Sequence, residues 1–270
     1  MYLGVDVGAT KTLLGAFDSS GSLLAKDKIK TDPGYVDFKI ALKTILQGGF
    51  KQFDFEAGCF GLPGSLDRQA RIGLHFANLA WTNVPVGHDF DTILGAPVWI
   101  ENDAKLAGLS EAILVLDEYK KVLYLTIGTG IGAGLIINGK IDPNFINIES
   151  GQMLLEHDGK IQKWEALASG KAFKERYGKL AADVDDQKIW KAFSHLIALG
   201  LNELLATLQP EAVIIGGGVG AHFEKFQPFL EAELKKASNP LVPIPPLLKA
   251  QRPEEAVIYG CYEYIKQQTA

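Results

Sequence analysis

Four short stretches of this 270-residue chain carry residue types that bind phosphate or move protons. The first is Asp6-x-Gly8-x-Thr10-Lys11. An acid closing an apolar run, followed by a small-residue turn, can offer backbone N–H groups and a hydroxyl to a phosphate. The acid is then placed to hold a magnesium ion or its water shell. A Walker loop is excluded, because it needs a glycine six residues before Lys11, where Val5 stands. The plainer alternative is a hairpin whose Gly8 and Thr10 only make the turn. The second stretch, Gly128 to Gly134, fits the relaxed dinucleotide pattern through Gly128, Gly130 and Ala133. A β-rich run follows it where that fold needs a helix, so a second phosphate-cradling hairpin is the better reading. The third, Gly216-Gly217-Gly218 after Ile215, lets a flat nucleoside approach bare backbone. The fourth, Glu101-Asn102-Asp103-Ala104, sets acids where a strand meets a helix, an edge at which open α/β sheets keep ligands. Asn102 or Asp103 as a plain helix cap is the competing reading there, worth about 1 kcal/mol.

These residues need strands and helices to hold them. Short apolar runs predict strands over Tyr2–Val7, Leu13–Phe17, Ser22–Ile29, Ala57–Gly61, Val98–Ile100, Val122–Ile127, Leu135–Ile137 and Ala212–Ile215. Helical spacing predicts helices near Val36–Leu46, from about Leu106 to Ile113, and over Trp164–Tyr177, Gln187–Thr207, Glu224–Lys236 and Pro253–Lys266. Leu62–Asp67 and Asn239–Pro246 read as loops, and Asn138-Gly139 as a tight hairpin turn. Gly8 to Asp18 and Gly128 to Asn138 each span ten positions, with strand, glycine turn, strand and polar turn in the same order. One hairpin has been duplicated. Alternating strands and helices make an α/β protein. The expected domains are 1–117, joined by the C-terminal helix 254–270, and 118–253.

Composition narrows the class. The chain is 47% hydrophobic, which excludes disorder, and no apolar run approaches the ~18 residues of a membrane span. The 27 basic and 32 acidic residues give a formal charge of −5, which argues against a nucleic-acid surface. Cys59 and Cys261 supply neither a disulfide framework nor a zinc knuckle. The expectation is a soluble cytoplasmic protein without membrane or nucleic-acid partners.

The order of the motifs adds what none gives alone. The Asp6 hairpin, Gly61-Leu62-Pro63-Gly64, Asn78-Leu79-x-Trp81-x-x-Val84-Pro85, Glu101-Asn102-Asp103-Ala104, the Gly128 hairpin ending Asn138-Gly139-Lys140, and Ile215-Gly216-Gly217-Gly218-Val219 follow one another. That series resembles the ROK family of sugar kinases, its glucokinase-like members in particular, from Leu3 to about Ile265. The resemblance implies the actin-like, ribonuclease H-like fold, two α/β domains with nucleotide and sugar in the interdomain cleft. It implies ATP-dependent phosphorylation of a hexose at its primary hydroxyl, with Asp103 as general base, and Mg²⁺ carried with ATP near Asp6. An N-acetylhexosamine kinase or a catalytically silent sugar and ATP sensor is the alternative.

By the same resemblance, Asp6, Gly8, Thr10, Lys11, Gly128, Thr129, Gly130, Gly216, Gly217 and Gly218 contact the nucleotide. Gly64, Ser65, Asn78, Asn102, Asp103, Glu149, Gln152 and Glu165 fall on the sugar side, and a homodimer is implied. One segment departs from the family. Between Glu149 and Glu165, where most members carry a cysteine-rich zinc segment, this chain has no cysteine, and Gln152 stands at the family's histidine. The expectation is a protein that works without zinc, its loop held by packing of Met153, Leu154, Leu155 and Trp164.

Overall fold

The computed structural model describes residues 1–76, 79–237, 240–252 and 254–269. It divides into two compact units, Met1–Ser110 with Glu254–Ala270, and Glu111–Pro253.

Unit 1 is built on a five-stranded sheet. The apolar runs Tyr2–Val7 (β1) and Lys11–Phe17 (β2) form an antiparallel hairpin, extended by Leu23–Lys30 (β3). After helix Tyr35–Gln47 (α1), strand Ala57–Leu62 (β4) lies parallel to β1 on its other side, and every one of its residues is buried. A small meander follows: Gly64–Asp67 (β5), Ile72–Phe76 (β6) and Thr82–Val84 (β7), then helix Val86–Leu94 (α2). Strand Val98–Asn102 (β8) joins β4 in parallel and runs straight into helix Asp103–Ile113 (α3). The core beneath the sheet is aromatic, with Phe60 stacked on Phe90 at 4.2 Å and Trp81 donating to Pro33 O at 3.0 Å. The C-terminal helix Ala256–Thr269 packs on β1 and β4. Among the contacts there is the buried pair Cys59 and Cys261, both thiols free.

Unit 2 repeats the plan. Lys121–Ile127 (β9) and Ile131–Ile137 (β10) form the second hairpin, Lys140–Ile141 (β11) extends it, and Ala212–Gly216 (β14) and Leu247–Lys249 (β15) lie parallel on the far side. The strand orders, β3-β2-β1-β4-β8 and β11-β10-β9-β14-β15, match place for place. The duplication is therefore of the whole sheet. Asn138 and Gly139 both take positive φ, the tight turn their sequence predicts. Between the sheets' strands lie the hairpin Leu154–His157 (β12) with Lys160–Lys163 (β13), helices Trp164–Ala168 (α4), Gly170–Tyr177 (α5) and Gln187–Leu208 (α6), the short Gly217–Gly220 (α7) and Phe223–Ala237 (α8).

Several expectations change. Ile131–Gly134, read as turn, is the first half of β10, because its ladder to β9 begins directly after a three-residue turn. The segment read as a loop up to Asp67 ends in strand β5, paired with β6. The single helix expected over 164–177 breaks at Ser169, whose Oγ accepts the Ala172 N–H at 3.1 Å and caps a new helix. Strands β6, β7, β12, β13 and β15 and helix α2 carry too little periodicity to be read from sequence.

Candidate active site

In unit 1, β1, β4 and β8 are parallel neighbours, so their carboxyl ends bring Asp6, the loop before Gly64 and Asn102-Asp103 to one edge of the sheet. Asp6 is half-buried. Burial, and secondly the negative charge of Asp103, push its carboxyl up to about 7. Two acids sharing a poorly solvated corner repel one another, and a hard divalent cation with oxygen ligands relieves both. The donor set fits magnesium.

Asp103 opens α3, and its Oδ1 accepts the Ala104 N–H at 2.8 Å. A helix N-terminus favours negative charge. Asn102 Oδ1 accepts the N–H groups of Ala104 at 3.1 Å and Lys105 at 3.3 Å, so the capping role is real. The other end of that amide does something further: its Nδ2 donates to Gly64 O at 3.4 Å, reaching the start of β5. Gly8 N–H donates to Lys11 O at 3.0 Å and closes the first turn, leaving Thr10 and Lys11 exposed at its rim. Ser65 is exposed on β5. Asn78 lies outside the described residues.

Sequence reasoning missed Arg68, in the turn after β5. Its Nε donates to Glu101 Oε2 at 2.6 Å and its Nη2 to Glu101 Oε1 at 2.5 Å, and the Glu101 side chain is wholly buried. A charged residue beside a predicted loop gives little signal, because most such residues are solvated.

In unit 2 the turn Gly128–Gly130 sits between two features. On one side, Gly128 O accepts the Gly170 N–H at 2.7 Å, and Gly128 and Thr129 help line a cavity of about 580 Å³. Its other walls are Gly218, Val219 and His222 after β14, Lys171 and Lys174 on α5, and Leu180–Ala182. Apolar walls, a glycine face and two lysines suit a nucleotide, and the volume is in the range of small-molecule sites. Burial, then Lys225 and Lys249, hold the His222 imidazole below its ordinary value, so it faces the cavity neutral at pH 7. Of the three glycines, Gly218 lines the cavity, Gly216 ends β14 and Gly217 makes the turn at φ +83°. Lys171, Lys174 and His222 went unread, and the capping Ser169-Gly170 break inside an expected helix was the available sign.

On the other side of the turn, a Cβ on Gly130 would lie 2.8 Å from Glu165 Oε2. Glu165 Oε1 accepts Gln152 Nε2–H at 2.7 Å. Glu165, Gln152 and Gly130 therefore form one cluster, while Glu149 stands exposed just ahead of it. The segment between the two acids folds as the β12–β13 hairpin. Trp164 anchors it, fully buried, with its ring N–H donating to Leu196 O at 3.0 Å and its face against Gly200. Met153 and Leu155 pack on the unit's core, but Leu154 is 68% exposed, because alternate residues of a strand point to opposite faces. Among the described residues no group of three or more His, Cys, Asp or Glu side chains is arranged to hold a metal. No helix among them is long and apolar enough to cross a membrane.

The sequence matches that of the ROK family over residues 2–268. It is 29% identical to the N-acetyl-D-glucosamine kinase of Vibrio atlanticus, over 96% of this chain and 98% of that protein. It is 26% identical to the glucokinase of Streptomyces coelicolor, over 81% and 82%. The crystal structure of a ROK family glucokinase from Streptomyces griseus in complex with glucose and AMPPNP superposes with a TM-score of 0.84 at 24% identity, covering 98% of this chain and 99% of that one. The duplicated sheets are those of the actin-like, ribonuclease H-like sugar kinases. Ordered motifs, repeated sheet and near-complete match agree: the chain belongs to the ROK family.

Proposed function

We propose that this protein transfers the γ-phosphoryl group of ATP to the primary hydroxyl of a hexose, glucose or a related sugar, with Asp103 as general base. The observation that carries the reading is the placing of Asp6 and Asp103 at one sheet edge, the ends of parallel strands β1 and β8, where burial and then the charge of Asp103 raise the Asp6 carboxyl. Phosphoryl transfer asks for positioning and charge neutralisation more than covalent chemistry. Asp103 accepts the hydroxyl proton as that oxygen attacks phosphorus, a role commonly worth about 10²–10⁴-fold. Asp6 and Asp103 are the residues that would hold a Mg²⁺ ion carried with ATP, which would supply neutralisation of phosphate charge. Gly8, Thr10, Lys11, Gly128, Thr129 and Gly130 offer donors to phosphate oxygens, and the cavity walled by Gly218, Val219 and His222 takes the nucleoside. Gly64, Ser65, Asn78, Asn102, Glu149, Gln152 and Glu165 bind the sugar.

The relatives phosphorylate both hexoses and N-acetylhexosamines, which keeps an N-acetylhexosamine kinase as the second reading. A homodimer, a cytoplasmic location and activity without zinc complete the proposal. A coupled assay of ADP release across hexoses and N-acetylhexosamines, with phosphorus NMR of the product, tests it. One sugar turned over with phosphate on its primary hydroxyl is expected. Sugar and ATP binding without turnover of any sugar would identify a sensor instead.

A further inference from the structure

We propose that Arg68 is a positioning residue, acting through Glu101 to fix the strand end that carries Asp103 in register with the sugar-side loop. The proposal rests on the reading of Asp103 as the base.

The geometry is a two-point fastening. Glu101 lies on β8, two residues before Asp103, with its carboxylate removed from solvent. Both of its oxygens take a nitrogen of Arg68, and Oε1 also accepts the backbone N–H of Asn102 at 2.6 Å. The carboxylate therefore holds the peptide next to the base, and Arg68 holds the carboxylate. Arg68 itself belongs to the turn that closes the β5–β6 hairpin, and the same hairpin begins with Gly64, whose carbonyl takes the Asn102 amide. Arg68–Glu101 and Asn102–Gly64 thus tie one hairpin to one strand end at two separate points. A sugar seated against Gly64 and Ser65 then meets Asp103 at a fixed distance.

A bidentate fork does this better than a point charge, because two parallel bonds set direction as well as separation. If the pair served stability alone, apolar residues of similar volume would replace it, since buried ion pairs are often matched or surpassed by hydrophobic packing. The cradle around the Asn102 N–H is what such a swap cannot supply. Misplacing a reacting group by about 1 Å can lower the rate about 10²-fold without touching the group itself.

Two variants separate positioning from support. Arg68→Lys keeps the charge but has one donor centre, and the double variant Arg68→Met/Glu101→Leu removes the pair without leaving a buried charge. Each is measured for melting temperature, for kcat, and for KM toward sugar and MgATP, beside wild type and Asp103→Asn. We expect the double variant to melt within a few degrees of wild type yet lose roughly 30- to 100-fold in kcat, with KM for MgATP unchanged. Arg68→Lys should lose roughly tenfold. Wild-type kcat in either variant overturns the positioning role, and so does a loss confined to the KM values. An active wild type with a dead Asp103→Asn, beside fully active Arg68 variants, defeats the positioning role alone. A wild type that turns over no sugar defeats both it and the reading beneath it.

Discussion

Replacing Asp6 by Asn should stabilise the ligand-free protein at alkaline pH while abolishing turnover. The folded carboxyl is held at about 7, whereas the unfolded chain releases that proton near 3.8. Between those values the native state binds one proton more than the unfolded state, so stability falls as pH rises. Below 3.8 both states are protonated and above 7 neither is, so the loss is confined to that window. About three pKa units at 1.36 kcal/mol each give a cost on the order of 4 kcal/mol by pH 8. Its causes are burial, then repulsion from Asp103. Asn fills the same space without titrating. Denaturant unfolding at pH 4, 6 and 8, with magnesium and nucleotide absent, should show wild type losing stability relative to Asp6→Asn at each step. Parallel curves would refute the reasoning, since they would mean that Asp6 carries no strained charge in the native state.

Other expectations follow from the same geometry. Gly218→Val should weaken nucleotide binding at least tenfold by calorimetry with little change in melting temperature, because a Cβ there meets no atom within 4 Å and points at the cavity. Gly217→Val should instead unfold unit 2 at lower temperature, since its φ is +83° and a Cβ would lie 2.7 Å from the Ile127 carbonyl. Glu165→Gln and Gly130→Ala should each raise the sugar dissociation constant about tenfold or more, the second by displacing the Glu165 carboxylate, while ATP binding is kept in Glu165→Gln. Chelation followed by magnesium should restore full activity, whereas Gly200→Ala, with a Cβ 2.2 Å from the Trp164 ring, should lower melting temperature and activity together. Stoichiometric zinc in the purified protein would overturn the chelation result.

What sequence could reveal was set by local signal. The two glycine hairpins are legible because apolar runs flank short polar turns, and their repeat reveals a duplicated hairpin; that the duplication extends to all five strands of each sheet shows only in the strand order. Asn102 was legible as a cap, since an Asn at a strand-to-helix junction is a local signal, whereas its second bond, to the Gly64 carbonyl, was not. The β5–β6–β7 meander was not, since its strands are short and their exposure follows no strict alternation. Arg68 was invisible for a related reason: its partner is 33 residues away, and only tertiary packing turns a hairpin arginine into the counter-charge of a buried glutamate. The break at Ser169 was a local signal overridden by the apolar spacing on either side. Leu154 departs from its expected packing because side-chain type alone does not say which face of a strand a residue takes, and on β12 it takes the exposed one.

Asp103 as general base is the central proposal. The most direct measurement is the turnover of Asp103→Asn at saturating sugar and MgATP, beside calorimetric binding of both ligands to the same protein. A loss of about three orders of magnitude or more in kcat is expected, with both dissociation constants within a few-fold of wild type. Near-wild-type turnover in the folded variant would contradict it, and would leave Asp103 a helix-terminal residue and nothing more.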